Sequence, residues 1–129
     1  MNSNPYQQYQ KQSVMTASPA DLLLMLYNGC IKFIKLARQA IEDKDVQKSH
    51  NNLIKAQNII LEFMNTLDMD YEVSKSLMPL YEYIYWRLVR ANVENDVAVL
   101  DEALELVTEF RNTWTEAAKL AKTQKAVGG

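Results

Sequence analysis

The chain has few residues that could perform catalysis or hold a metal. His50 is the only histidine among the 129 residues, and no glutamate stands three positions before it. A carboxylate-bridged metal site in a helical bundle needs inward glutamates and Glu-x-x-His pairs. The acids of the last predicted helix fall on its polar face. The sequence therefore predicts no metal centre and no cofactor, with His50 as a surface residue.

Nucleophilic and phosphate chemistry are not indicated either. Cys30 is the only cysteine, and it lies in the middle of an apolar helical arc without a histidine partner. A buried thiol of this kind usually packs as a small hydrophobic side chain. The chain has no G-x-S-x-G motif and no glycine-rich phosphate loop. We expect no enzyme, no internal disulfide and a reducing compartment.

Two arginines beside aromatic residues could stack on nucleic acid. Arg87 and Arg90 lie next to Tyr83 and Trp86 on one predicted helix. The net charge of -2 and the pI near 5.4 argue against a nucleic-acid binder, which usually has a basic face. A cation–π pair on the protein surface is the expected arrangement.

Membrane insertion is not expected. The N-terminal residues are polar and are not followed by the apolar stretch of a signal peptide. The longest apolar run, Leu22–Tyr27, is too short to span a bilayer. The sequence thus predicts a soluble, cytoplasmic protein.

Apolar residues recur at helical spacing through most of the chain, with few glycines and prolines between them. The pattern predicts an all-α, antiparallel four-helix bundle over residues 18–122, with helices at about 19–43, 46–67, 76–94 and 97–122. Residues 1–17 are expected to form a mobile N-terminal segment and residues 123–129 a tail.

Residue types at the predicted helix starts support these bounds. Ser18 and Pro19 are typical of the first positions of a helix. Ser76 is predicted to cap the third helix, which puts Pro79 in its first turn. Gly29, the only glycine inside a predicted helix, is expected to let another backbone approach closely.

The third predicted helix has more apolar surface than a bundle needs. Its expected core stripe is Leu77, Leu80, Tyr81, Ile84, Leu88 and Ala91. A second stripe lies on nearly the opposite side of this helix, a weaker one lies on the fourth helix, and two residues lie at the stripe edge of the second helix. These residues could form grooves for a partner: Ile54, Leu61, Trp86, Val89, Val93, Leu106 and Leu120. Loops or the N-terminal segment could instead cover them. A third possibility is a structural or adaptor bundle that forms a homo-oligomer.

Several stretches resemble the bacterial flagellin-specific export chaperones. The N-terminal matches are NPYQQY and, at residues 13–34, SVMTASPADLLLMLYNGCIKFI. Later matches are NLIKAQNII at 52–60, LYEYIYWRLVRANVEND at 80–96 and FRNTW at 110–114. They extend over nearly the whole chain in the order of that family. The resemblance implies a non-enzymatic four-helix bundle of the bacterial cytosol that uses no nucleotide.

The resemblance also implies a cargo and a route. Such chaperones bind the C-terminal segment of flagellin, prevent its premature polymerisation and deliver it to the flagellar type III export apparatus. The export gate and an anti-sigma factor are further implied partners, and the protein would be a monomer or dimer. In this family the N-terminal segment folds over part of the cargo surface when cargo is absent. That role falls by position on Tyr6, Tyr9 and Val14.

Overall fold

The computed structural model describes residues 18–128, and for residues 121, 122 and 124–128 it describes the backbone alone. The described chain forms four helices: α1 (Pro19–Glu42), α2 (Val46–Thr66), α3 (Glu72–Glu94) and α4 (Val97–Gly128). Helices α1 and α3 each pack against both α2 and α4. Because the links between successive helices are short, neighbours run antiparallel. The predicted antiparallel four-helix bundle is confirmed, while the predicted mobile segment 1–17 lies outside the described residues.

Polar side chains satisfy the first backbone amides of three helices. The Ser18 hydroxyl accepts from the Asp21 amide at 3.2 Å, and the Asp45 carboxylate accepts from the Lys48 amide at 3.1 Å. Asp96 does the same for the amides of Ala98 and Val99. Such caps stabilise a helix by about 1 kcal/mol each. They explain why α1, α2 and α4 begin so sharply at these residues.

The start of α3 differs from the prediction. The helix begins at Glu72 rather than after Ser76, and Pro79 lies inside it. Its N-cap, Tyr71, makes no side-chain capping bond. Burial of Ser74 and the packing of Leu77 against the core stabilise the extra turn. That gain offsets the hydrogen bond that a proline cannot donate.

The end of α4 also differs from the prediction. The helix continues to Gly128, through residues that the sequence assigned to a tail from 123. The stretch 121–127 consists mostly of alanine, lysine and glutamine, which are good helix formers, and it contains no glycine. Helical propensity therefore carries α4 past the expected boundary.

One aromatic side chain from each helix meets in the core. Tyr27 of α1 lies 4.4 Å from Phe63 of α2, measured between ring centroids, and Phe63 lies 5.6 Å from Tyr81 of α3. Phe110 of α4 lies 5.3 Å from Tyr81 and 6.5 Å from Tyr27. We call these four residues the aromatic layer. Phe110 is only partly buried, so the layer reaches the protein surface on α4.

Two polar contacts fix the register between α1 and α4. Arg38 pairs with Asp101 at 2.6 Å, and its pKa is raised mainly by this hydrogen bond. Ten residues earlier on α1, Asn28 accepts from Arg111, which is ten residues later on α4, at 3.1 Å. Extending this antiparallel register by nine residues brings Pro19 alongside Leu120.

Gly29 does not have the role that the sequence suggested. A Cβ atom added there would meet one atom within 4 Å, the Ile59 Cδ1 at 3.7 Å. This is an ordinary van der Waals distance to a flexible side chain, with no backbone nearby. The expectation of a close backbone approach at Gly29 is therefore wrong.

Within residues 18–128, no helix combines the length and hydropathy needed to cross a bilayer.

Candidate partner-binding groove

A groove of about 540 Å³ lies between α3 and α4. Aliphatic and aromatic side chains from both helices form its floor, and polar residues stand at its edges. Its lining residues are Leu80, Tyr83, Ile84, Glu102, Leu106, Glu109, Phe110 and Thr113. Because Phe110 also belongs to the aromatic layer, the groove floor is continuous with the core.

A second, shallower and more open hollow of about 500 Å³ continues the groove along α4, and residues of α4 alone line it. It shares Thr113 with the first hollow and reaches Leu120, which is 61% exposed. We call the two hollows together the α3–α4 trough. At 1.5 Å per residue, the stretch of α4 from Glu102 to Leu120 is about 27 Å long. The trough is therefore long enough to hold about five turns of a partner helix.

A polar network closes the end of the trough that lies nearest the start of α4. The Tyr83 hydroxyl donates to Glu102 Oε2 at 2.6 Å and accepts from Arg87 Nε at 2.8 Å. Arg87 Nε also pairs with Glu102 Oε1 at 3.0 Å. The hydrogen bond to the Tyr83 hydroxyl, supported by the charge of Glu102, raises the pKa of Arg87.

The same network bears out the expected cation–π pair. The Arg87 guanidinium carbon lies 4.9 Å from the centroid of the Tyr83 ring. Arg87 is thus engaged with groups of its own chain by stacking, hydrogen bonding and an ion pair. This arrangement is the protein-surface alternative to stacking on nucleic acid.

The trough contains two of the seven residues that sequence reasoning proposed for partner binding. Leu106 lies in its floor and Leu120 at its far end. Trp86 and Val93 do not line it, and they are 64% and 76% exposed elsewhere on α3. The residues that the sequence proposed for partner grooves therefore lie on more than one surface of the bundle.

The other three proposed residues also lie outside the trough. Val89 and Leu61 are partly buried, and Ile54 is 36% exposed. His50 is exposed, as predicted, and its Nδ1 lies 3.0 Å from Asn92 Nδ2 on α3. Ile54 and Leu61 follow His50 on α2 by four and eleven residues, so they share its side of the helix. They therefore belong to the α2–α3 side of the bundle.

Sequence reasoning missed several residues of the trough. Leu80 was placed in the core stripe, but it is 48% exposed because it lies at the edge of that stripe, facing the groove. Tyr83, Glu102 and Glu109 were not among the residues proposed for a partner groove. The signal that could have revealed the acids is their seven-residue spacing beside Leu106.

Cys30 has the structural role expected of it. Its side chain is fully buried, and the thiol donates to the Ala56 carbonyl at 3.9 Å. Burial raises the pKa of the Cys30 thiol to about 12, so the reactive thiolate does not form at neutral pH. The described residues also contain no group of three or more His, Cys, Asp and Glu side chains that could hold a metal ion.

Comparison with known proteins identifies the family. The sequence model of the family described as "Flagellar protein FliS" matches residues 2–121. The chain belongs to the FliS family. It is 49% identical over 126 residues to the flagellar secretion chaperone FliS of Bacillus subtilis, covering 98% of this chain and 95% of that one. Over 119 residues it is 33% identical to the FliS chaperone of Salmonella typhimurium, covering 90% and 88%.

A solved structure agrees with the fold of this FliS-family chain. A crystal structure of a bacterial flagellar chaperone superposes with a TM-score of 0.72, covering 89% of this chain and 98% of that one. At 20% identity, this likeness supports the four-helix fold alone. The FliS family consists of chaperones without enzymatic activity, which the sequence resemblance had implied.

Proposed function

We propose that this flagellar export chaperone binds the C-terminal segment of flagellin in the α3–α4 trough. Binding there would hold the segment away from other flagellin subunits until delivery to the type III export apparatus from the cytoplasm. The main support for the proposal is the long apolar trough. The relatives of this protein are flagellar secretion chaperones, so a bound export substrate is expected. A soluble protein rarely exposes such a continuous apolar surface without a partner.

The physical chemistry of the trough suits an amphipathic segment. A segment that folds on binding loses conformational entropy, and burial of its apolar face must offset that loss. Leu80 and Leu120 are substantially exposed and can contribute such burial. Phe110 adds an aromatic surface at the floor. The trough thus provides exposed apolar surface against which the apolar face of a helical segment can be buried.

Residues 1–17 are proposed to compete with cargo for part of this trough. Tyr6, Tyr9 and Val14 lie outside the described residues, so the proposal depends on the position of the segment's attachment point. The register between α1 and α4 brings Pro19 alongside Leu120, at the open end of the trough. Seventeen extended residues can reach about 56 Å, which exceeds the length of the trough.

The decisive experiment compares two aspartate substitutions on α3. Leu80→Asp places a charge in the trough, whereas Val93→Asp places one on an exposed position outside it. We expect Leu80→Asp to weaken binding to full-length flagellin at least about tenfold and Val93→Asp to change it less than about twofold. Circular dichroism must show that both variants remain folded.

The outcomes separate the site from the function. If Val93→Asp alone weakens binding, the trough is the wrong surface, although the chaperone function stands. If the folded wild-type chain binds no flagellin in gel filtration, or binds flagellin lacking its C-terminal segment equally well, the proposed cargo is wrong.

A second candidate function is a structural or adaptor bundle that forms a homo-oligomer. The strong exposure of Trp86 and Val93 favours it, since these side chains could bury each other between copies. It predicts an assembly that persists on dilution and does not change when flagellin is added. Light scattering over a dilution series distinguishes it from a chaperone that is a monomer or dimer.

A further inference from the structure

Three glutamates form a regular row along the trough. Glu102, Glu109 and Glu116 are spaced seven residues apart on α4, and all three line the trough. Seven residues are close to two helical turns, so such side chains fall nearly above one another, with a drift of about 20° each time. We call these three residues the acid row.

The acid row borders an apolar seam with the same period. Leu106, Thr113 and Leu120 are also spaced by seven, and Phe110 and Ala117 lie between them. All five residues line the trough. In coiled-coil terms, Phe110 and Ala117 occupy a positions, Leu106 and Leu120 occupy d positions, and the acids occupy g positions. Charges at g positions select partner helices of complementary charge.

The bundle already contains one example of that pairing. At the first acid of the row, α3 supplies Arg87, which pairs with Glu102 at 3.0 Å. No described residue forms an ion pair with Glu109. Among the side chains that the structure describes, Glu116 pairs only with Lys119, three residues later on the same exposed surface of α4, at 3.7 Å. A pair of this kind contributes little and exchanges readily. Two of the three acids are therefore available to a partner.

We propose that the trough selects a helical segment that carries basic side chains about seven residues apart along one edge of its apolar stripe. These lysines or arginines pair with Glu109 and Glu116, as Arg87 pairs with Glu102. The inference depends on the proposed function, since it takes the trough as the cargo site, and it adds the chemical class that the site recognises. The trough should therefore bind such a basic segment in preference to an apolar segment that is acidic or neutral.

The expected effects are those of charges at the rim of an interface. Exposed pairs contribute modestly to affinity, but they accelerate association and make binding sensitive to salt. Placing like charges opposite one another costs considerably more than removing a pair. Charge reversal of the acid row should therefore weaken binding more than neutralisation does.

The test uses two double variants, one neutralising and one reversing, and a control whose change in net charge equals that of the reversal. Glu109→Gln with Glu116→Gln neutralises the available acids, and Glu109→Lys with Glu116→Lys reverses them. The control, Glu62→Lys with Glu105→Lys, reverses two exposed acids that do not line the trough. Binding of full-length flagellin is measured between about 50 and 300 mM salt, a range over which screening changes strongly.

We expect neutralisation to lower the affinity about threefold at low salt and to flatten the salt dependence. Reversal should lower it about tenfold or more, with most of the loss in the association rate, and the control should stay within about twofold. The inference is overturned if reversal and control behave alike, or if the wild-type affinity does not depend on salt. Absence of any flagellin binding by the folded wild type would instead refute the proposed function.

Discussion

The hydroxyl groups of Tyr27 and Tyr81 hydrogen bond to each other at 2.5 Å in the buried centre of the bundle. They belong to α1 and α3, which occupy opposite corners of the four-helix ring. The two side chains are 0% and 3% exposed, so water does not substitute for either partner. The bond therefore ties together the two helices that the ring places furthest apart.

Removal of both hydroxyls should cost less than the two single removals added together. Tyr27→Phe leaves the Tyr81 hydroxyl buried without its partner, and we expect a loss of about 1–3 kcal/mol in the free energy of unfolding. The double variant Tyr27→Phe with Tyr81→Phe should lose less than the sum of the two single variants. Urea denaturation of all four proteins measures this coupling. Strictly additive losses would show that the hydroxyls do not interact.

The tyrosine pair should also make stability depend on alkaline pH. Burial raises the pKa of both tyrosines above the usual value near 10, and the Tyr27–Tyr81 hydrogen bond raises that of Tyr27 further. Below pH 10 both states are protonated, and the stabilisation is complete. Above it, the unfolded tyrosines ionise while the folded ones keep their protons, so the free energy of unfolding falls.

The decline amounts to at most about 1.4 kcal/mol per pH unit for each tyrosine. Denaturation measured at pH 9, 10 and 11 should thus give a steeper loss for the wild type than for the double phenylalanine variant. Equal slopes would mean that other groups cause the alkaline destabilisation.

Gly29→Ala should stabilise the protein. The added Cβ atom meets only Ile59 Cδ1, at 3.7 Å, so it fits without moving a neighbour. Alanine in a helix interior is more favourable than glycine by about 0.5–1 kcal/mol, partly because the unfolded chain loses less entropy. Thermal denaturation should give a correspondingly higher midpoint. A lower midpoint would indicate that Gly29 has a packing role after all.

Many features of the fold could be predicted because local chemistry and helical periodicity agree. Ser18 with Pro19 marks the start of α1, and Cys30 lies in the apolar arc that is indeed buried. Pro79 misled the prediction of α3, because tertiary packing of Ser74 and Leu77 outweighed a local helix-breaking preference. Local rules alone do not include that contribution.

The trough was harder to predict than the helices. Leu80 and Trp86 are both apolar residues of α3, and a helical wheel cannot show which edge of a stripe meets a groove. The structure places Leu80 in the trough and Trp86 outside it. The decisive information is the relation of α3 to α4, which depends on long-range contacts such as that of Tyr83 with Glu102.

Tyr6→Ala tests the proposed competition by the N-terminal segment. If Tyr6 covers part of the trough in the free protein, its truncation should raise the affinity for flagellin about two- to threefold and leave the melting temperature unchanged. Isothermal titration with full-length flagellin measures the change. Tyr71→Ala, which removes an exposed tyrosine before α3, serves as the control. A large loss of affinity would show that Tyr6 contacts the cargo itself.

Pro79 should divide α3 into two parts with different amide protection. It lies seven residues after Glu72 and has no N–H to donate to the carbonyl of Lys75, so one bond of the helical ladder is missing. Residues 72–78 can consequently open as a small cooperative unit while residues 80–94 stay closed. Hydrogen exchange should be faster in the first part. Because Leu80 follows this break directly, we expect the opening of residues 72–78 to reach the α3 edge of the trough, at the cost of the packing of Leu77 against the core.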